Sequence, residues 1–318
     1  MTSGPETVLI GGRYSLTTRD KKGPGILGEG SFGAVYRGID IEVSAAVAIK
    51  LECVRAKHPQ LSYENRVLEE LRGTPGIPRV LYFGEYGDTH LAMVMDRLGR
   101  TVGSDAPLSK LDVAHIARSV LSILHIVHLA GFVHRDIKPE NLLWPKGDTV
   151  DTGRAQVHLI DFGLCKRVLG EDGRHIPLRT DKSFLGTPEY ASARAHTGEE
   201  LSRRDDIESL VYVLLYLHTK QLPWRKRDEK DRAGDAPAPP DIEDALVEGD
   251  CHHAKIGRMK AWALADMDNR LFYTVENNAI ATALRCTLIY ARNTLAFTDM
   301  PNYSLLEKYW STKALLNV

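Results

Sequence analysis

Cysteine is scarce in this sequence: 318 residues carry four, at positions 53, 165, 251 and 286. None stands in a CxxC pair, so neither a disulfide framework nor a zinc ribbon is indicated. Reduced thiols in an intracellular compartment, cytoplasm or nucleus, are the expectation. "CHH" at 251–253 has no second ligand cluster, which argues against a zinc site. An excess of one charge is also missing. Charged residues make up 26% of the chain, yet the net charge is −1. Nucleic acid held by bulk electrostatics is therefore not expected. Long apolar runs are missing too. "LVYVLLYL" (210–217) is too short to span a bilayer and reads as a helix buried on all sides. The N-terminal "MTSGPETVLIGG" is not a signal peptide, and neither end carries a lipidation signal. No membrane partner is expected.

What is present suits a globular protein with a full core: 43% of residues are hydrophobic. From about Gly12 to Met95, short β-rich runs dominate. "GAVYRGI", "AVAIKLE" and "THLAMVM" read as strands. One helix near 60–72 stops at "RGTPG". After Gly99 the pattern turns helical. "KLDVAHIARSVLSILHIVHLAG" ends at a capping glycine, Gly131, and "DDIESLVYVLLYLHT" and "NNAIATALRCTLIYARNT" follow. A β-rich lobe preceding a larger helical lobe argues for an α+β fold in two lobes, not alternating βαβ units. "PKGDTVDTGRAQ" (145–156) reads as a hairpin loop. "RKRDEKDRAGDAPAPPD" (225–241) reads as a flexible surface insert.

Several short stretches carry chemistry. "LGEGSFGAVYRG" (27–38) holds Gly28, Gly30 and Gly33 in a GxGxxG pattern followed by β-favouring residues. A flap over phosphates fits that context, as does a ligand-free hairpin. In "AVAIK", alternation puts Ala48 and Lys50 on one strand face and Val47, Ile49 and Leu51 on the other. Lys50 then points at a phosphate or at solvent. Glu64, Val67, Leu68 and Leu71 share one helical face, so the carboxylate needs a partner or a route to water. Lys50 is the natural partner. "HRDIKPEN" (134–141) crowds Asp136, Lys138 and Asn141 between apolar flanks, and "HLIDFGLCK" adds Asp161. A carboxylate and a carboxamide suit Mg²⁺. Another carboxylate can orient a hydroxyl and take its proton, while Lys138 can offset charge on a migrating phosphoryl group.

"GEGSFGAV", "VAIK", "HRDIKPEN" and "DFG", in this order, resemble the protein kinases. "DIKPEN" looks like a serine/threonine kinase. "GTPEYASARAHTGEELSRRDDIESLVYVLLY" (186–216), "LPW" (222–224) and "FTDMPNYSLL" (297–306) narrow the resemblance to the casein kinase 1 family. "SAR" (192–194) occupies the place of the usual Ala-Pro-Glu. The resemblance implies a bilobal kinase fold: a short extension (1–12), then a kinase domain over 13–318. Within it the N-lobe covers about 13–95, the hinge 96–98 and the C-lobe about 99–318.

It further implies ATP and Mg²⁺ as cofactors, and protein serine or threonine hydroxyls as substrates, with the chain a monomer. Leu27, Gly28, Glu29, Gly30, Ser31, Phe32, Gly33, Ala34 and Val35 would form the flap over ATP. Val35 and Ala48 would cover the adenine, with Leu143 beneath it. Lys50 would hold phosphates and pair with Glu64. Met95 would be the gatekeeper, and Asp96 to Leu98 would meet the adenine edge. Asp136 would be the catalytic base, Lys138 its companion, and Asn141 and Asp161 the metal ligands. Asp206 matches the acid that braces the catalytic loop. The alternative is a scaffold that keeps the fold without turnover. Tau-tubulin and vaccinia-related kinases are neighbouring placements.

Three departures stand out. Glu189 in "GTPEY" occupies the place of an arginine that favours phosphate-primed substrates, so that preference is doubtful here. "TTRDKKGPGIL" (17–27) is longer than usual, which leaves the first strand unsettled. The chain ends soon after its last motif, so activity is expected without release of an autoinhibitory tail.

Overall fold

The computed structural model describes residues 9–16, 19–20, 23–30, 33–104, 107–147, 155–225, 251–275 and 278–316. Ser31 and Phe32 at the flap tip, residues 148–154 of the expected hairpin loop and residues 226–241 of the expected insert lie outside these.

The N-terminal part is a curled antiparallel sheet. In chain order its strands are β1 (Tyr14–Leu16), β4 (Ile26–Gly30), β5 (Gly33–Asp40), β6 (Ala45–Cys53), β7 (Val80–Tyr86) and β8 (His90–Asp96). The order across the sheet is β1-β5-β6-β8-β7, with β4 also pairing β5. A two-residue hairpin, β2 (Arg19–Asp20) with β3 (Gly23–Pro24), interrupts that edge. The long first segment is thus one edge strand split in two. β1 pairs with residues 38–40 of β5, and β4 with residues 33–36. The excursion leaves from an edge, so it breaks no interior pairing.

The sheet's two faces follow the alternation of β6. Val47 and Ile49 pack with Ile10, Tyr14, Ala92 and Val94 in a small outer core. Ile10, within the expected N-terminal extension, is fully buried there. On the opposite face, register places Val35 beside Lys50 and Met93, and Ala48 beside Met95. That row is the roof of a cleft.

Helix α1 (Leu61–Glu70) lies against this face, with Leu61, Glu64, Val67 and Leu68 buried. Its N-cap, Gln60, makes no side-chain cap bond. Glu52 at the end of β6 supplies one instead, accepting from Gln60 N at 2.8 Å and Leu61 N at 3.1 Å. A carboxylate at a helix N-terminus satisfies orphan amides and complements the dipole.

The second part is helical. Helix α2 (Lys110–Leu129) starts at Ser109, which accepts from Asp112 N, and ends just before Gly131 in a left-handed conformation. By length and composition α2 alone among the described helices could cross a membrane, but 56% of its apolar window is buried inside the protein. Four two-residue strands follow: β9 (Phe132–Val133), β10 (Leu142–Leu143), β11 (His158–Leu159) and β12 (Lys166–Arg167). β10 pairs β11, and β12 pairs β9. After the short α3 (Ala193–His196) comes α4 (Arg203–Thr219), buried on all sides over most of its length. Asp205 Oδ2 accepts from Ser202 N at 2.8 Å, closing its first turn. Around it lie α5 (His252–Ala265), α6 (Met267–Arg270), α7 (Ala279–Ile289), α8 (Tyr303–Tyr309) and α9 (Thr312–Leu316). The main core runs from Leu61 of α1 through α2 and α4 to Leu315, so it joins the two lobes. This is the expected bilobal α+β architecture, with the cleft where the lobes meet.

Candidate active site

The cleft collects the polar residues that sequence separates widely. Lys50 Nζ donates to Glu64 Oε2 at 2.7 Å and to Asp161 Oδ1 at 2.9 Å. Phe162 N donates to Glu64 Oε1 at 3.2 Å. Strand β6, helix α1 and the DFG turn therefore meet at one ammonium. Burial would lower the Lys50 pKa, but the two carboxylates outweigh it and raise it. At Asp161 burial disfavours the anion, yet Lys50 outweighs it and the carboxyl lies below its usual range. Burial pushes Glu64 up, and Lys50 opposes that push. With the Phe162 amide also bonded to it, we take Glu64 as the anion of a paired triad.

Asp161 sits at a φ of 64°, and Arg135 at 69°. Left-handed conformations are strained for such residues and persist only where surroundings hold them. At Arg135 the hold is explicit. Asp206 of α4 accepts from His134 N and Arg135 N, both at 2.8 Å, and from His128 Nε2 at 2.9 Å. The other ring nitrogen of His128 meets the Tyr303 hydroxyl. A relay thus runs from α8 through α2 and α4 to the catalytic loop. Arg135 Nε also donates to Leu164 O at 2.7 Å, tying that loop to the DFG segment.

Asp136 stands on the far side of this brace. Lys138 Nζ donates to its Oδ2 at 2.7 Å, and Thr187 Oγ1 to its Oδ1 at 2.7 Å. Lys138 also reaches Thr187 Oγ1 at 3.3 Å. Asn141 Nδ2 donates to the Asp136 carbonyl at 2.9 Å, so its amide oxygen is the atom that could bind a metal. Asp161 and Asn141 together offer carboxylate and carboxamide oxygens, a hard donor set that fits Mg²⁺ shared with phosphate oxygens. Among the described residues no group of three or more His, Cys, Asp or Glu is placed to hold a metal alone.

The flap is the β4–β5 hairpin, with Gly28 opposite Val35 and Gly30 opposite Gly33. Gly33 has a φ of 131°, and a Cβ there would run into the Leu51 carbonyl. A Cβ at Gly28 would meet nothing within 4 Å. So Gly33 is required by the fold, while Gly28 leaves open space on the hairpin. Leu27, Ala34 and Val35 are half-buried along it, and Glu29 is exposed. Ala48 and Met95 are cross-strand partners at the roof. Leu143 lies on β10, bridged to Thr101. In the connecting segment the Asp96 side chain turns away, accepting from Arg79 Nε at 3.0 Å and Nη2 at 2.9 Å. Arg97 Nη1 donates to the Leu98 carbonyl at 2.8 Å. An incoming adenine edge would compete with that contact.

Some residues of the site were given no role by the sequence. Glu52, His128 and Tyr303 are examples. Glu208 is another: fully buried, it accepts from Ala193 N and Tyr212 Oη and pairs with Arg194 and Arg292. It anchors the "SAR" segment to α4. An acid just ahead of the apolar run "LVYVLLYL" was the available signal.

Residues 23–244 match the family model described as Protein kinase domain. The chain belongs to the protein kinase family. The class is accordingly that of ATP-dependent phosphotransferases acting on serine and threonine hydroxyls, with the ATP and Mg²⁺ use typical of kinase domains.

Proposed function

We propose that this chain is a catalytically active serine/threonine protein kinase of casein kinase 1 type. The observation that carries the proposal is the assembled cleft. Lys50 is 2.7 Å from Glu64, and the Asp136 carboxylate is aimed by Lys138 and Thr187 at 2.7 Å each. A scaffold without turnover has no need to keep all of these in place.

In this reading, Lys50 holds the nontransferred phosphates and Glu64 holds Lys50. Val35 and Ala48 cover the adenine, Leu143 supports it from below, and backbone from Asp96 to Leu98 meets its edge. Bound Mg²⁺ would neutralise phosphate charge, held by Asp161 and Asn141. Asp136 orients the substrate hydroxyl and accepts its proton as the oxygen attacks the γ-phosphorus in line, while the bond from that phosphorus to the β,γ-bridging oxygen breaks and ADP leaves. Lys138 stabilises the charge on the transferring phosphoryl oxygens. Positioning and electrostatics supply most of the acceleration.

The casein kinase 1 placement rests on the residues at 186–216, 222–224 and 297–306 together. Their bonds support a shared role: Ser192 Oγ donates to Asp205 at 2.8 Å, Trp224 Nε1 to Glu189 O at 2.8 Å, and Tyr303 meets His128. Glu189 sets substrate choice in this proposal. Its carboxylate stands 3.8 Å from His252 Nε2, near the loop that follows Thr187. An anion there repels an upstream phosphate, so primed substrates are disfavoured. Peptide pairs with and without an upstream phosphoserine test this, and a large gain from the phosphate would refute it. All four cysteines are free, which supports action in a reducing compartment, cytoplasm or nucleus.

A further inference from the structure

We propose that Lys260 is the positioning residue for the peptide-binding loop, reaching from α5 to fix the backbone of residues 188–191 beside Asp136. The inference rests on the protein-kinase reading and names a residue that no motif marks.

Lys260 is fully buried. A buried ammonium is costly unless its donors are satisfied. Here no carboxylate pairs with it among the described residues. Nζ donates instead to Pro188 O at 2.7 Å, to Ala191 O, and to His196 Nε2 at 3.3 Å. The three donors of an ammonium thus meet three acceptors. His196 is suited to accept, because its Nδ1 faces the His253 carbonyl at 2.8 Å and carries the proton. Two rings complete the enclosure, with Nζ 4.9 Å from the Tyr212 centroid and 5.0 Å from that of Trp224. Trp224 in turn takes the Glu189 carbonyl through Nε1 at 2.8 Å.

Three of the four carbonyls from 188 to 191 are therefore held by two side chains from outside the loop. The residue before them, Thr187, is bonded to Asp136. The loop is pinned to the catalytic carboxylate at one end and to α5 over its next turn. A peptide lying on this loop has its acceptor hydroxyl placed by that geometry. Burial draws the Lys260 pKa down to about 7. The charges of Glu208 and Glu189 oppose that fall, and the three acceptors favour the ammonium.

Lys260→Met keeps the length and removes every donor. Two readouts decide the matter: steady-state kinetics with a peptide substrate, and amide hydrogen exchange. The expected result is a peptide KM raised by about tenfold or more, as for loss of a charge-assisted hydrogen bond, with the ATP KM unchanged. Exchange should quicken at residues 187–196 and stay unchanged at 134–141. Lys260→Arg keeps charge and ring contacts, but its planar fork cannot serve three divergent acceptors. Its peptide KM should fall between those of wild type and Met. Should the Met variant fail to fold, the Arg variant and Trp224→Phe, which loses the Nε1 donor and part of the ring facing Nζ, carry the same readouts. An unchanged peptide KM in a folded variant, or equal loss in both KM values, overturns the proposal. Wild type that phosphorylates no peptide would sink the kinase reading instead. Exchange then decides the loop clamp without turnover.

Discussion

Asp161, half-buried in the cleft, and Asp206, fully buried at the base of α4, both have carboxyls below the usual range, yet they do opposite work. In each case burial opposes the anion and a specific partner outweighs it: Lys50 for Asp161, His128 for Asp206. The difference lies in access. The Asp206 side chain is 2% exposed and bonded by two backbone amides and a histidine, all from the protein. The Asp161 side chain is 32% exposed and ties to protein through Oδ1. A lowered pKa therefore does not mark a functional acid. An oxygen left for a ligand does.

That contrast can be broken in several ways. The largest effect should come from the cleft. Asp136→Asn and Asp161→Asn are each expected to lower phosphoryl transfer by about a thousandfold or more, while melting temperature barely moves. Lys50→Arg belongs with them, since a guanidinium does not reproduce a point-charge ammonium. Near-normal turnover in any of the three would remove that residue from its role. Asp206→Ala should do the reverse, costing about 3–5 kcal/mol of stability by stranding buried donors. A denaturant midpoint equal to that of wild type would show that the brace carries no load.

Smaller effects sharpen the same comparison. Tyr303→Phe removes one hydroxyl from the relay, for an expected loss of about 1 kcal/mol, read as a modest fall in unfolding midpoint. Without such a fall, the relay would end at His128. His196 supplies a pH test. Burial holds its pKa at about 4 in the fold, against 6.5 for the free group. The unfolded chain then binds the extra proton between these values. Stability from this group is full above pH 6.5 and lost as pH falls toward 4. His196→Gln should flatten that part of the stability curve relative to wild type. Parallel curves for the two proteins would refute the neutral imidazole.

How much of this was legible in the sequence depends on distance along the chain. Lys50, Glu64, Asp136, Asn141 and Asp161 were readable because each sits in a short pattern whose period or spacing states its face. The fold class followed from the switch between β-rich and helical patterning near Gly99. β7 was not read: "VLYFGEY" has a glycine at its centre and no clean alternation, and its burial is only partial. The split edge strand was visible only as surplus length. His128 and Tyr303 are 175 residues apart, and no local period pairs them. No helix was read over 252–265, and Lys260 was given no role. Only its enclosure by Tyr212 and Trp224 distinguishes it.

The most direct test of the central claim is transfer of ³²P from Mg-ATP to casein, with wild type beside Asp136→Asn. Transfer by wild type alone is the predicted result and would establish turnover through this loop. Equal transfer by both proteins, or none by wild type while ATP still binds, would contradict it.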